Sequence, residues 1–260
     1  MIQPEIKVFP DPQAIAVEAA QRIARAAEEA IALSDRFTLG LAGGSTPKAL
    51  YEVLAEGYRD AIDWARVEVF FGDERCVPPD HEQSNYRMAH ASLLSKVPIP
   101  GDNIYRMRGE IEPEAAAKEY GLMLKEKFPS TSSGQAHSMG SGQVIDAGLD
   151  LLLLGMGEDG HTASLFPGTA AVGEMHHRCV ANYAENSTTG KSWRITLTAP
   201  FINRSREVLI LVAGAGKAKV LAEVLEGPRV PERLPIQLVE PASGKLSWLI
   251  DVAAAGMQEV

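Results

Sequence analysis

"FTLGLAGGSTPKALYEVLA", residues 37–55, passes from a short apolar run through two glycines into a helix-forming segment. Gly43 and Gly44 allow the backbone to approach a ligand closely, and Ser45 or Thr46 can cap the helix that follows. The free N–H groups and the dipole of that helix converge on one point, which favours an anion. The stretch therefore predicts either a phosphate-binding turn or an ordinary capped turn between a strand and a helix.

Four apolar runs of this kind end at a glycine-marked turn, and three of them lead directly into helix-compatible sequence. The runs are residues 37–44, 67–74, 149–157 and 206–216. Residues 11–35 form a helical run, with Asp11 as its cap and Pro12 at the first helical position. This alternation predicts an α/β fold, a mostly parallel sheet flanked by helices, of the Rossmann-like kind. Since ligands bind at the carboxyl ends of such strands, we expect the four ends to line one crevice.

The whole chain, residues 1–260, is predicted to form a single domain. Residues 129–143, "PSTSSGQAHSMGSGQ", are rich in serine and glycine and are predicted to be a flexible loop inside it. Apolar sequence typical of a strand resumes at Leu149. A division into two domains at the loop is the less favoured interpretation.

The composition is that of a globular protein, with 45% hydrophobic and 23% charged residues. A net charge of −9 argues against nucleic-acid binding, which needs clustered lysine and arginine, but allows a basic pocket for a small anion. The chain lacks both a run of about 18 apolar residues and a secretory leader, so we predict a cytoplasmic protein without membrane association. Two distant cysteines, Cys76 and Cys179, do not suggest a disulfide scaffold.

Charged residues stand at the ends of two of the apolar runs. Asp73, Glu74 and Arg75 come immediately after the strand expected in the second run, and Lys217 opens the helix after the last run. An arginine there can hold a phosphate in a bidentate fork, and a lysine can add a second contact. The alternatives are a surface ion pair and a solvated lysine. Their position at strand ends favours the anion site.

The third run continues as "LDLLLLGMGEDGHTASLFPG", residues 149–168, and spells the G-x-G-x-x-G pattern of a dinucleotide-binding turn. Such a site needs a long helix after the third glycine and an acidic residue about 20 positions later. Here Pro167 leaves room for barely two helical turns, and no second strand ending in an acid follows. We therefore predict no cofactor.

His161 lies beside Asp159 in this turn, at the predicted N-terminus of a helix. A neutral imidazole can take a proton from water near pH 7, and a neighbouring carboxylate can orient the ring. The alternatives are a structural histidine and a metal site completed by His176 and His177. Because no metal-binding spacing is present, we favour the general base and predict no metal.

Taken in order, these segments resemble the 6-phosphogluconolactonases, enzymes of the oxidative pentose phosphate pathway. The matching segments are residues 41–55, 70–89, 149–169, 193–221 and 234–239, and "GMGEDGHTASLFPG" is the most specific. The resemblance implies the α/β fold shared with glucosamine-6-phosphate deaminases, no metal and no cofactor. It also implies hydrolysis of a small phosphorylated sugar lactone, 6-phospho-D-glucono-1,5-lactone, to 6-phosphogluconate, without an obligatory protein partner.

In the mechanism that this resemblance suggests, His161 takes a proton from water and returns it to the ring oxygen, while Asp159 orients the imidazole. No serine or cysteine nucleophile is needed. The residues expected to anchor the phosphate are Gly43, Gly44, Ser45, Arg75 and Lys217. Asp73 and Arg194 are further candidates for the pocket.

Two alternative functions are weighed against the lactonase. A glucosamine-6-phosphate deaminase resembles this chain, but its second strand ends in Asp-Glu-Tyr, so a tyrosine stands where this chain has Arg75. After its histidine the deaminase continues with Ala-Phe-Asn-Glu-Pro, whereas this chain continues with "TASLFP". The chain therefore lacks the acidic group that deaminase chemistry uses beside the histidine. A non-catalytic sugar-phosphate sensor would need the phosphate anchors but not Asp159 and His161, whose presence favours the enzyme.

Overall fold

The computed structural model describes residues 4–129, 147–186, 190–241 and 243–257. The loop predicted at residues 129–143 lies outside these ranges except for Pro129.

A parallel sheet of six strands forms the centre of the described structure. Its strands are β1 (Glu5–Phe9), β2 (Phe37–Leu41), β3 (Val67–Phe71), β5 (Leu151–Gly155), β8 (Glu207–Val212) and β9 (Lys245–Asp251), in the order β1-β9-β8-β5-β2-β3. From β2 the chain proceeds outward to β3, whereas from β5 it proceeds the opposite way to β8 and β9. In open α/β sheets this reversal creates a crevice at the carboxyl ends of the two neighbouring strands, here β2 and β5.

Helices cover both faces of this sheet, and the bounds of the α-helices are α1 (Pro12–Ser34), α2 (Ser45–Gly57), α3 (Asn85–Ala89), α4 (Pro113–Lys127), α5 (Ala199–Ile202) and α6 (Ala218–Glu226). Along β5 the side chains alternate between two cores, because successive residues of a strand point to opposite faces. Leu151 packs in the core that contains residues of α1 and α2, and Leu152 packs in the core that contains residues of α4 and α6. The predicted α/β architecture is confirmed.

The first helix begins as the sequence predicts. Pro12 is its first residue, and the Asp11 carboxylate accepts a hydrogen bond from the Ala14 N–H at 2.7 Å. After β5, by contrast, the described chain continues in turns and an isolated bridge between Thr162 and Leu165, so the helix expected to begin at His161 is absent there.

A small antiparallel sheet is the main departure from the expected architecture. It consists of β4 (Asp73–Arg75), β7 (Gly190–Leu197) and β6 (Cys179–Asn186), in that order. The strand expected in residues 67–74 ends at Phe71, and the residues after Gly72, which were expected to follow that strand, form β4. The Gly72 N–H donates to Leu41 of the large sheet, and its carbonyl accepts from Leu197 of the small one, both at 2.9 Å. Asp73 and Arg75 therefore belong to a second sheet, which begins directly after the carboxyl end of β3.

Among the described residues, no helix combines the length and apolar character needed to cross a membrane.

Candidate functional site

A cavity of about 210 Å³ opens at the carboxyl edge of the large sheet, where β2 and β5 are neighbours. Most of the residues predicted for the site line it, namely Gly43, Gly44, Asp73, Arg75, His161, Arg194 and Lys217. Asp159 and Ser45 are not part of the lining, but Asp159 contacts the ring of His161. Strand ends that are far apart in the sequence thus meet at one crevice.

The turn between β2 and α2 presents backbone to the cavity. Gly44 caps the helix with φ of 105°, a left-handed conformation that favours glycine. Neither Ser45 nor Thr46 provides the side-chain cap that the sequence suggested, because Ser45 is the first helical residue and is exposed. The anion-binding character of this turn therefore depends on N–H groups at the start of α2 rather than on a capping hydroxyl.

Asp159 and His161 form a hydrogen-bonded pair in the turn after β5, which we call the histidine end of the cavity. Nδ1 of His161 lies 2.5 Å from Oδ1 of Asp159, and the same oxygen accepts the His161 backbone N–H at 3.1 Å. Gly157 makes room for this pair, because a Cβ there would lie 2.0 Å from Nδ1 of the imidazole. Burial alone would raise the pKa of Asp159, but the hydrogen bonds and charge of His161 outweigh it and lower that pKa.

The His161 ring also contacts Phe166 and is accessible from the cavity. The ring of Phe166 packs against that of His161, with centroids 4.3 Å apart and planes inclined by 32°. Because Asp159 accepts the proton on Nδ1, Nε2 is left as the unprotonated nitrogen of the neutral ring. The side chain is one-quarter exposed, and the residue lines the cavity, so a water molecule in the cavity can reach the ring.

Two arginines lie opposite each other on neighbouring strands, and we call the part of the cavity that they line the arginine end. Arg75 on β4 and Arg194 on β7 are direct partners in the antiparallel pair, and both line the cavity. Burial and then the charge of Arg75 lower the pKa of Arg194. Like charges directly opposite each other are unfavourable unless an anion lies between them. The pair is therefore suited to a phosphate.

Lys217 adds a third cationic side chain to the lining. It ends the short 3₁₀ turn Ala215–Lys217 after β8 and caps α6, close to its predicted position. The preceding turn is tied to β9, since the Gly214 N–H donates to both carboxylate oxygens of Asp251 at 3.1 and 3.0 Å. Among the described residues, no carboxylate lies within 4.0 Å of the Lys217 ammonium, so that cation remains available to a ligand.

Asp73 also lines the cavity, and two residues that the sequence analysis did not single out hydrogen-bond to its carboxylate. Asn85 Nδ2 donates to the Asp73 carboxylate at 3.1 Å, and Ser164 Oγ donates to it at 2.6 Å. Both side chains are buried and line the cavity. Asn85 lies inside the matching segment 70–89 and Ser164 in "TASLFP", but nothing in their spacing indicates that they share one carboxylate.

The histidines considered as metal ligands lie elsewhere. The backbone N–H groups of His176 and His177 donate to Glu174, and neither residue lines this cavity. In the part of the chain that the structure describes, no group of three or more His, Cys, Asp or Glu side chains is arranged to hold a metal ion.

Sequence comparisons relate the chain to one family. The profile described as glucosamine-6-phosphate isomerases/6-phosphogluconolactonase matches residues 10–248. A probable 6-phosphogluconolactonase 3, chloroplastic, of Oryza sativa subsp. indica is 38% identical over 251 residues, covering 96% of this chain and 75% of that protein. A 6-phosphogluconolactonase of Nostoc sp. (strain PCC 7120) is 37% identical over 250 residues and is covered to 96%, as is this chain.

Solved structures of the same enzyme classes have a fold similar to that of this chain. The crystal structure of 6-phosphogluconolactonase from Leishmania guyanensis matches with a TM-score of 0.82 and 29% identity, covering 98% of both chains. A monomeric glucosamine-6-phosphate deaminase matches with a TM-score of 0.78 over 98% of this chain and 100% of its own. At 20% identity, this second likeness concerns the fold alone. The predicted resemblance and the fold shared by the two enzyme classes are confirmed.

Proposed function

Because the chain belongs to the glucosamine-6-phosphate isomerase/6-phosphogluconolactonase family, we propose that it hydrolyses 6-phospho-D-glucono-1,5-lactone to 6-phosphogluconate in the oxidative pentose phosphate pathway. The observation that carries this proposal is a single cavity lined both by His161, which is paired with Asp159, and by three cationic side chains, Arg75, Arg194 and Lys217. A substrate that carries a hydrolysable group and a phosphate fits this lining.

The histidine end supplies the chemistry in this scheme. Hydrolysis of a lactone begins when water adds to the carbonyl and forms a tetrahedral oxyanion. His161 takes a proton from that water through Nε2, and the Asp159 carboxylate stabilises the resulting imidazolium. The ring C–O bond then breaks, and the proton on Nε2 passes to the departing oxygen, which becomes a hydroxyl. All atoms of the products come from the lactone and one water molecule, and His161 carries out both proton transfers, so no step of the scheme involves a metal or a cofactor.

The arginine end supplies the orientation. Phosphate contacts with Arg75, Arg194, Lys217 and the turn at Gly43 and Gly44 would fix the substrate, and Asp73 would contact its sugar hydroxyls. Binding energy from this remote group then holds the carbonyl near the imidazole, which lowers the entropic cost of reaction. The same contacts explain why a phosphorylated sugar lactone is the preferred substrate class.

The deaminase alternative is less well supported. The aromatic ring of Phe166 packs on His161, and Asp159 is the carboxylate hydrogen-bonded to its ring within the described residues. Isomerisation of an aminosugar needs a further acidic group near the histidine, as the sequence comparison with the deaminase pattern indicated. A sensor without activity is disfavoured for another reason, since binding alone does not need an oriented imidazole.

Proton release measures the proposed activity directly. Freshly prepared 6-phosphogluconolactone should be hydrolysed well above its spontaneous rate in a weakly buffered assay, because each turnover yields one carboxylic acid. Glucosamine 6-phosphate serves as the parallel substrate, with ammonia release as its readout. Ammonia release without lactone hydrolysis would favour the deaminase, and binding of both sugars without turnover would favour the sensor.

A further inference from the structure

Glu74 is a buried carboxylate that the proposed mechanism does not use. It lies between Asp73 and Arg75 on β4 and is 2% exposed. Its two oxygens accept four hydrogen bonds. The donors are Arg75 N at 2.8 Å and Asn85 N at 2.7 Å to Oε1, and Ser84 Oγ at 3.0 Å and Tyr86 N at 2.8 Å to Oε2.

Three of these donors belong to one short segment, residues 84–86, which begins α3. Only a carboxylate offers two oxygens that both accept and neither donates. Hydrogen bonds to a charged acceptor are also stronger than those between neutral groups. Burial raises the pKa of Glu74, while these donors act in the opposite direction by favouring the charged form. The carboxylate therefore fastens the start of α3 to β4.

The fastened segment contacts the cavity from two sides. On one side, Nδ2 of Asn85 donates to the Asp73 backbone carbonyl at 2.9 Å and to its carboxylate at 3.1 Å. On the other side, the Arg75 guanidinium donates to the carbonyl of Gln83. Asn85 also lies against the turn after β2, because a Cβ on Gly43 would lie 2.0 Å from Oδ1 of Asn85. A shift of this segment would therefore move Arg75, Asp73 and the Gly43 turn together.

We propose that Glu74 is a positioning residue of the anion pocket, which holds residues 83–86 so that Arg75 and the Gly43 turn converge on one phosphate. This inference rests on the proposed function for its phosphate and deepens it, since Glu74 itself contributes nothing to the lining. Its role is transmitted through hydrogen bonds that a glutamine cannot reproduce. In Glu74→Gln, one oxygen becomes an NH₂ group and faces two N–H or O–H donors.

Glu74→Gln is tested against a matched control, Asp150→Asn. Asp150 is a partly buried carboxylate whose Oδ2 accepts from Thr38 N at 2.9 Å and from Thr38 Oγ1 at 2.8 Å, and whose Oδ1 pairs with Arg206 at 3.2 Å. It joins β2 to β5 at their amino ends, opposite the cavity. Both substitutions remove a charge from a hydrogen-bonded carboxylate, but only Glu74→Gln loosens the pocket.

Two quantities are measured below the unfolding midpoint, on variants that circular dichroism identifies as folded. Calorimetry gives the Kd of inorganic phosphate, and proton release gives kcat/KM for the phosphorylated lactone. In Glu74→Gln we expect the Kd to rise about 10-fold and kcat/KM to fall on the order of 10²-fold, because small misplacements of binding groups have effects of this size. In Asp150→Asn both values should stay within about 2-fold of the wild type, whatever happens to Tm.

A folded Glu74→Gln protein that binds phosphate as tightly as the wild type would overturn the inference. If that variant does not fold, Ser84→Ala decides the question. It removes one donor to Glu74, together with the cap that Ser84 Oγ provides to the Arg87 N–H of α3, from a residue outside the cavity lining, and both contacts hold the same segment. A several-fold weaker phosphate affinity in Ser84→Ala supports the inference, and an unchanged one overturns it. The phosphate titration needs no turnover, so it separates a failure of this inference from an inactive wild type, which would refute the proposed function alone.

Discussion

At the histidine end of the cavity the paired side chains, Asp159 and His161, are two residues apart and share one turn. At the arginine end, Arg75 and Arg194 come from separate strands and face each other only because β4 pairs with β7. The Asp159 carboxylate and the His161 imidazole attract each other, since they form a direct hydrogen bond. In the second pair burial and then the charge of Arg75 lower the pKa of Arg194, while the charges of Asp73 and Glu74 act in the opposite direction. One end is therefore held together by its own attraction, whereas the other brings together like charges that a bound anion would stabilise.

Because of this difference, substitutions at the two ends should affect different kinetic quantities. A change at the histidine end should affect turnover and leave binding largely intact, because the pair has no role in holding phosphate. A change at the arginine end should affect every step that depends on the phosphate. The predictions below test this separation.

The largest effect is expected from His161→Ala. Loss of the general base should lower kcat by about 10²–10⁴-fold, the usual contribution of one such group. Steady-state proton release measures it, and calorimetry with 6-phosphogluconate should give a product affinity close to that of the wild type.

Asp159→Asn is the graded comparison at the same end. It should lower kcat less than His161→Ala does, because a poorly oriented imidazole still accepts a proton. Near-normal turnover in His161→Ala would refute the general-base assignment, and a more damaging Asp159→Asn would mean that the two roles are reversed.

Gly157→Ala tests whether the histidine end depends on its turn. The added Cβ would lie 2.0 Å from His161 Nδ1 and 2.5 Å from Asp159 Oδ1, so the pair must move. A loss in kcat on the order of 10²-fold is expected, because displacements near 1 Å have this effect. Gly57→Ala is the control, since a Cβ there meets no atom within 4 Å. Equal activity of the two variants would contradict the proposed importance of the turn.

Arg75→Ala and Lys217→Ala test two cationic side chains of the lining, one at the arginine end and one in the turn after β8. A charge-assisted contact of about 1.5–3 kcal/mol corresponds to a loss in kcat/KM of roughly 10- to 150-fold for the phosphorylated lactone. Each variant is assayed beside the unphosphorylated gluconolactone, whose slow hydrolysis should hardly change because it lacks the phosphate. Equal losses with both lactones would exclude these residues as phosphate ligands, even if His161 remained the base.

The smallest effect is expected from chelation. Treatment with EDTA should leave kcat/KM unchanged, because His161 and water suffice in the proposed mechanism. A loss that added zinc reverses would instead support the metal site once considered with His176 and His177.

Much of the histidine end can be predicted from the chain because its contacts are local. Asp159 and His161 are close in any compact turn, and Gly157 and Gly160 allow that turn to be tight. The same holds for the first helix, where Asp11 and Pro12 specify the start through contacts within one turn. The expected helix at His161 was wrong, because tertiary contacts hold this segment in turns. Ser164 N–H, for example, donates to Thr196 of the small sheet at 3.1 Å.

What the sequence by itself determined is the parallel α/β sheet, its carboxyl-edge crevice and the closeness of Asp159 to His161, since hydrophobic periodicity and short-range turn chemistry encode them. Only the tertiary structure decided that Gly72 divides a run into two strands, that Arg75 meets Arg194, and that Glu74 holds the start of α3. These arrangements depend on hydrogen bonds between residues distant in the chain, and no local pattern specifies such partners. The proposed anion pocket therefore depends on the pairing of strands, whereas the proposed general base and its carboxylate partner depend on one turn.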